Sequence, residues 1–434
     1  MHFEKIGQKM SDYKHRIADR LLAAKLDSMG AVLIEGPKAC GKTTTAEQQA
    51  KSVLYMDDPE RIAQNLHLAE TNINVLLRGE TPRLIDEWQL APRLWDAIRF
   101  AVDHRDGDGQ FMLTGSAVPA DVSKINHSGA GRFAWLTMRP MTLWESGESS
   151  GEVSIADLFT CADKVEGVSN LSMEQVAFTV CRGGWPKAVN KVSNKSALQQ
   201  VTEYYEAITR DDIARVDGKE RNAQRAKRLL RSYARHQGGP ASINAFVSDL
   251  YTNENDSISD ETVSSYINAL KKIFVIEDLA AWNPNLRSKA SIRTADTRYF
   301  VDPSVAVAAL GLGPDDLIND LNTFGLLFET LCVRDLRVYA EANDGSLYHY
   351  RDSNGLECDA VIHLRNGKYG LVEVKLGGET LIEAGAATLK LLASKIDTQK
   401  MKDPSFLMVL TAVGDYAYRR KDGVLVVPIG CLKD

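Results

Sequence analysis

The stretch AVLIEGPKACGKTTT, residues 31–45, decides the fold of the N-terminal third. Residues 31–35 are a short apolar run set between Gly30 and Gly36, and they read as a buried strand. Residues 43–50 read as a helix. Between the two, Gly36-Pro37-Lys38-Ala39-Cys40-Gly41-Lys42-Thr43 has the spacing G-x-x-x-x-G-K followed by Ser or Thr. It also has the strand-to-helix context that this motif requires. Glycines let the backbone curl so that several N–H groups face phosphate oxygens, and the following helix adds its positive end. The reading therefore puts ATP against Gly36, Pro37, Ala39, Cys40, Gly41, Lys42, Thr43 and Thr44. Lys42 is expected on the β and γ phosphates and the Thr43 hydroxyl on Mg²⁺.

Working outward, residues 53–56, 83–86 and 110–114 are further short apolar runs, with helical patterns at 15–28 and 91–105. This alternation predicts an α/β domain around a parallel sheet. The run at 83–86 ends in Asp86-Glu87. Asp86 is expected to hold Mg²⁺ through water and Glu87 to polarise the attacking water. Thr114 or Ser116, at the end of the next strand, could contact the γ phosphate or orient that water.

At ~100–200 residues per domain, 434 residues predict two to four domains. The reading divides them into an ATPase core (1–150), a helical extension (151–215), a winged-helix domain (216–305) and a second α/β domain (306–434). The net charge of -6 excludes a global polycation, so a nucleic-acid surface would be a local patch. Six scattered Cys without a CxxC pair argue for reduced thiols and against a zinc knuckle. The charged start lacks a signal-peptide pattern, and no run reaches the ~18 apolar residues of a membrane helix. The expected compartment is the cytoplasm.

The segments GPKACGKTT, LIDEWQLAP, FMLTGSA and SGAGRFAWLTMRPMTLWE resemble a widespread family of bacterial and archaeal AAA-type ATPases that carry a C-terminal domain of unknown function. GGWP (183–186), YRDSNGLECDAVI (350–362) and VEVK (372–375) extend the resemblance over nearly the whole chain. The resemblance implies a homo-oligomer, a ring in the family's manner, in which an arginine completes a neighbour's site. Arg132 is the first candidate by that resemblance and Arg139 the second. Either would neutralise charge on the γ phosphoryl in the transition state.

Residues 221–236 hold six Lys/Arg and no Asp/Glu. Arg221, Arg225, Arg228 and Arg235 fall near one helical face, with Lys227 and Arg231 beside it. Helices at 242–250 and 260–272, then strand-like runs at 274–282 and 298–302, give the order of a winged helix. Together these features suit contacts to a DNA backbone, with Arg287, Lys289, Arg293 and Arg298 on or near the wing.

In the last segment, Asp359 begins a strand, and Glu373 and Lys375 lie two apart on the next, so they share a face. The pattern resembles the PD-(D/E)xK nucleases, with Glu329 on the preceding helix as the extra acid. Two carboxylates would hold Mg²⁺ and the amine would orient water. The motif's proline is absent, since Cys358 precedes Asp359. The leading expectation is an ATP-driven motor acting on branched or double-stranded DNA. The alternatives are an ATP-dependent nuclease and a regulatory switch ATPase with a protein partner.

Overall fold

The computed structural model describes residues 13–115, 128–213, 216, 221–251, 258–287 and 291–434. Strands β1 (Ala31–Glu35), β2 (Ser52–Tyr55), β3 (Arg83–Asp86), β4 (Phe111–Gly115) and β5 (Phe133–Thr137) form one sheet in the order β2-β3-β4-β1-β5. Every pairing in it is parallel. Helices α1 (Ile17–Ser28), α2 (Lys42–Glu47), α3 (Ile62–Thr71) and α4 (Arg93–His104) connect and flank the strands. Period-two alternation assigns the two faces. Ala31, Leu33, Phe111 and Leu113 pack with Trp88, Trp95 and Ile98 into a local core beneath α4. Val32, Ile34, Leu84 and Met112 face the other way, into a larger core that runs on into the C-terminal half. Sequence reading missed β5, an edge strand whose Trp135 is exposed.

Residues 151–215 are not wholly helical. Two short strands, β6 (Val153–Ser154) and β7 (Gly167–Val168), come before helices α5 (Met173–Arg182) and α6 (Asn194–Ala207). Next come α7 (Ala223–Arg235), α8 (Ile243–Tyr251), α9 (Asp260–Lys272), α10 (Pro303–Leu310) and the long α11 (Leu321–Ala342). The C-terminal strands are β8 (Gly345–Arg351), β9 (Glu357–Leu364), β10 (Tyr369–Lys375), β11 (Phe406–Thr411), β12 (Tyr416–Arg419), β13 (Leu425–Pro428) and β14 (Leu432–Lys433). Helix α12 (Glu379–Lys395) crosses between β10 and β11, which are parallel neighbours. The sheet order is β7-β12-β13-β11-β10-β9-β8, so β7 pairs with β12 from far along the chain. Likewise β6 pairs with β14. Residues 153–168 therefore complete C-terminal strands, and the sequence boundary at 151 does not separate two independent sheets.

The region expected to form a wing is reduced to isolated antiparallel bridges, Ile276 with Phe300 and Leu279 with Thr297. Its middle lies against the C-terminal sheet instead, with bridges from Ala281 to His349, Leu286 to Ile396 and Ile292 to Asp352. Burial drives this, since Trp282 sits among Tyr350, Tyr369 and His363. Among the described residues no helix is long and apolar enough to cross a membrane.

Candidate active site

The phosphate loop leaves the C-terminal end of β1, and Gly41 precedes α2 in a left-handed conformation. Gly36 also has positive φ, and a Cβ there would lie 2.1 Å from the Met138 carbonyl oxygen, so the close approach to the segment that leaves β5 requires glycine. The Lys42 ammonium is buried and donates to the carbonyls of Gly36 and Pro37 at 2.9 and 2.8 Å. Cys40 is buried and Ala39 has positive φ. The Thr44 carbonyl accepts from Gln48. Lys38 pairs with Asp212 in the π-helical turn Ile208–Asp212 that follows α6.

Strand register brings the acids to this loop. Asp86 ends β3 opposite Thr114 on β4, and both are buried. Thr43 donates to Asp86 Oδ1 at 2.8 Å, and Thr114 donates to the same oxygen. Burial raises the Asp86 pKa, and the two hydroxyls partly offset this. Glu87 follows in a left-handed conformation, with its pKa raised first by burial and then by Asp86. The sequence-predicted Lys42, Thr43, Asp86, Glu87 and Thr114 thus share one end of the sheet. Ser116 lies outside the described residues.

Three contributors escaped sequence reading. Arg16 is buried, donates to the carbonyls of Cys40 and Arg139, and pairs with Glu145 at 3.1 Å. It ties the chain before α1 to the phosphate loop. Gln89 donates to the Glu87 carboxylate. Pro186, in the GGWP segment, approaches Gly41. Only Gln89 and Pro186 had a sequence signal, since both fall inside segments that carried the family resemblance.

The two arginines differ. Arg132 is half-buried just before β5, where it pairs with Asp103 at 2.8 Å. The phosphate loop lies at the other end of the adjacent parallel strand, and five residues at about 3.3 Å each separate the ends by about 16 Å. Arg139 does not match its expected role. It is buried, forms a two-pronged pair with Glu277 (2.8 and 2.7 Å), and contacts Glu341 at 2.9 Å. Arg337 also pairs with Glu277 at 2.7 Å. Burial opposes ionised Glu277, but the two guanidiniums outweigh it and hold its pKa down at about 2. Arg139 is thereby spent on joining the segment after β5 to the middle region and to α11.

The basic face of α7 is also partly committed. Arg221 donates to the Ile213 carbonyl and the Ser265 hydroxyl and lies over the Tyr266 ring. Lys227 pairs with Glu206 at 2.7 Å. Arg225 is half-buried, and Arg228 and Arg235 are exposed, with Arg235 3.9 Å from Asp249. Lys289 lies outside the described residues.

In the C-terminal sheet, Ala360 on β9 is opposite Val372 on β10, which makes Asp359 and Glu373 neighbours. Lys375 bridges them, 2.7 Å from Glu373 and 3.3 Å from Asp359, and Asp359 accepts the Val374 N–H at 2.7 Å. Glu329 on α11 accepts from the Tyr299 hydroxyl at 2.5 Å. Burial first, and Asp359 next, push the Glu329 and Glu373 carboxyls well above the usual carboxylate range. The Lys375 ammonium occupies the place between carboxylates that a cation would take. Among the described residues no three His, Cys, Asp or Glu side chains are arranged to hold a metal.

Residues 28–146 match the family model of an AAA domain. Residues 173–316 match a domain of unknown function, DUF8612, and residues 324–432 another, DUF4143. Over 417 residues the chain is 23% identical to the uncharacterized proteins Rv2008c of Mycobacterium tuberculosis and Mb2031c of Mycobacterium bovis, covering 96% of this chain and 83% of each relative. A Walker-type ATPase of Pyrococcus abyssi, PABY2304, is structurally similar with a TM-score of 0.44 and 14% identity, over 69% of this chain and 96% of that one. The parallel sheet, its phosphate loop and the AAA match identify the N-terminal region as a P-loop ATPase fold.

Proposed function

We propose that the chain hydrolyses ATP at the loop of residues 36–43. The observation that carries this is the convergence of Lys42, Thr43, Asp86, Glu87 and Thr114 at one end of the parallel sheet. Loop N–H groups and the start of α2 receive the phosphates. Lys42 exchanges its two loop carbonyls for phosphate oxygens. Thr43 and Asp86 offer the hydroxyl and carboxylate oxygens that suit Mg²⁺, which when bound neutralises charge on the β and γ phosphates. Glu87 takes the proton of the attacking water. Lys42→Ala is expected to abolish tight ATP binding, measured by calorimetry with the full chain. Retained affinity together with retained turnover would refute the reading.

The finer reading is a homo-oligomeric motor acting on double-stranded or branched DNA. Two observations support it. Arg132 is too far from its own phosphate loop to act there, which suits service to a neighbour. Exposed Arg228, Arg231 and Arg235 recur at helical spacing along α7, as phosphate contacts require. Replacing Arg228 and Arg235 by Ala is expected to weaken duplex binding and flatten its salt dependence. An unchanged slope would refute that role. At the C-terminal sheet, in the cluster of Glu329, Asp359, Glu373 and Lys375, the lysine is already paired with Asp359 and Glu373. With that ammonium seated between the two acids, this reading is of a C-terminal domain that does not cleave DNA.

A further inference from the structure

The Gln89 side chain has one satisfied end and one orphan. Its amide N–H₂ donates to a Glu87 oxygen. That contact fixes the orientation of the amide, because an amide oxygen turned toward a carboxylate would be repelled. The other end, Oε1, is buried and has no hydrogen-bond partner. A buried acceptor left unmatched costs about 1–3 kcal/mol, so its place next to a functional carboxylate calls for an explanation. The surroundings are shaped to keep it there. Gly115 ends β4 directly after Thr114, and a Cβ on it would lie 2.6 Å from Gln89 Oε1 and 3.2 Å from Trp88 Nε1. Only a residue without a side chain lets the Gln89 amide lie across the end of β4, between Thr114-Gly115 and Glu87.

We infer that Gln89 is a positioning residue: its amide N–H₂, seated in the space that Gly115 leaves, holds one Glu87 oxygen and turns the other toward the attacking water. A Glu87 carboxylate held in one orientation takes the proton as a lone pair of the water oxygen meets the γ phosphorus. The inference rests on the ATPase reading above. In the step, the water oxygen bonds to the γ phosphorus, and the bond from that phosphorus to the bridging oxygen breaks. ADP keeps the electron pair, the water proton passes to Glu87, and the products are ADP and phosphate. A misplacement of the nucleophile by about 1 Å is worth about 10²-fold in rate.

The test uses the full chain with Mg²⁺ and ATP, measuring kcat, KM, nucleotide affinity and thermal midpoint together. Gln89→Leu removes both polar ends. Gly115→Ala keeps the glutamine but drives it from its place. Both are expected to lower kcat by about 10²-fold while KM and affinity stay at wild-type values and the midpoint does not fall, which separates positioning from uniform binding or folding. Wild-type kcat in either variant would overturn the inference while leaving the ATPase reading intact. So would a fall in affinity or thermal midpoint that accounts for the lost rate. A wild-type chain that binds ATP without hydrolysing it would overturn the ATPase reading, and this inference with it.

Discussion

Replacing Arg139 by Leu removes a buried guanidinium that holds three parts of the chain together. It strips Glu277 of two hydrogen bonds and Glu341 of its 2.9 Å partner. The size of the effect follows from Glu277. Its carboxyl is held at about 2 against an ordinary 4.5. A depression of about 2.5 on the pH scale, at 1.36 kcal/mol each, is worth about 3 kcal/mol, shared between Arg139 and Arg337. Breaking a buried pair by deleting one partner typically costs about 3–5 kcal/mol. Arg337 keeps its share and both acids keep some solvent, so Arg139→Leu is expected to cost about 2 kcal/mol at neutral pH, read from the urea midpoint. The sign with pH is fixed. A carboxyl depressed on folding contributes stability above its unfolded pKa, and this is lost as pH falls from about 4.5 through about 2. The gap between wild type and variant should close over that window. A variant of wild-type stability that has lost only ATP turnover would refute the structural role and restore Arg139 as a transition-state residue.

Other outcomes follow from the same contacts. Burial raises the Glu329 carboxyl, so this group's contribution to stability is fully present below the ordinary 4.5 and is lost as pH rises through the raised value. Glu329→Gln should flatten that slope in thermal melts taken across the range. An unchanged slope would contradict the burial argument. Arg132→Ala should keep nucleotide affinity and lose turnover, and mixing it with Lys42→Ala should restore some activity at hybrid interfaces. Full activity of a strictly monomeric wild type would rule that out. Purified protein with Mg²⁺ or Mn²⁺ should leave linear, circular and branched DNA intact. Metal-dependent cleavage that an Asp359→Ala/Glu373→Ala variant lacks would promote the nuclease alternative.

What could be read from the sequence was whatever a short window encodes. The strand, loop and helix around residues 31–47 carry their own apolar run, glycines and helix start, and Asp86-Glu87 ends a strand that register places beside the loop. The spacing from Asp359 to Glu373 and Lys375 likewise survives in the register of β9 and β10. Contacts set by tertiary packing were hidden. Nothing near Arg139 in sequence announces Glu277, 138 positions away. The two-residue strands β6 and β7 are too short for any periodicity and exist only because β14 and β12 pair with them. The expected wing carried strand-like residues, yet Trp282 finds more burial against the C-terminal sheet than a free hairpin would give it. Arg221 and Lys227 read as a charged face because their partners, Ser265 and Glu206, lie on other helices.

The central claim is that the end of the parallel sheet hydrolyses ATP through Glu87. Phosphate release and nucleotide occupancy, measured on wild type and Glu87→Gln with Mg²⁺, test it most directly. The account predicts steady release by wild type, and a variant that binds ATP and retains it unhydrolysed. Equal rates of release from the two proteins would contradict it.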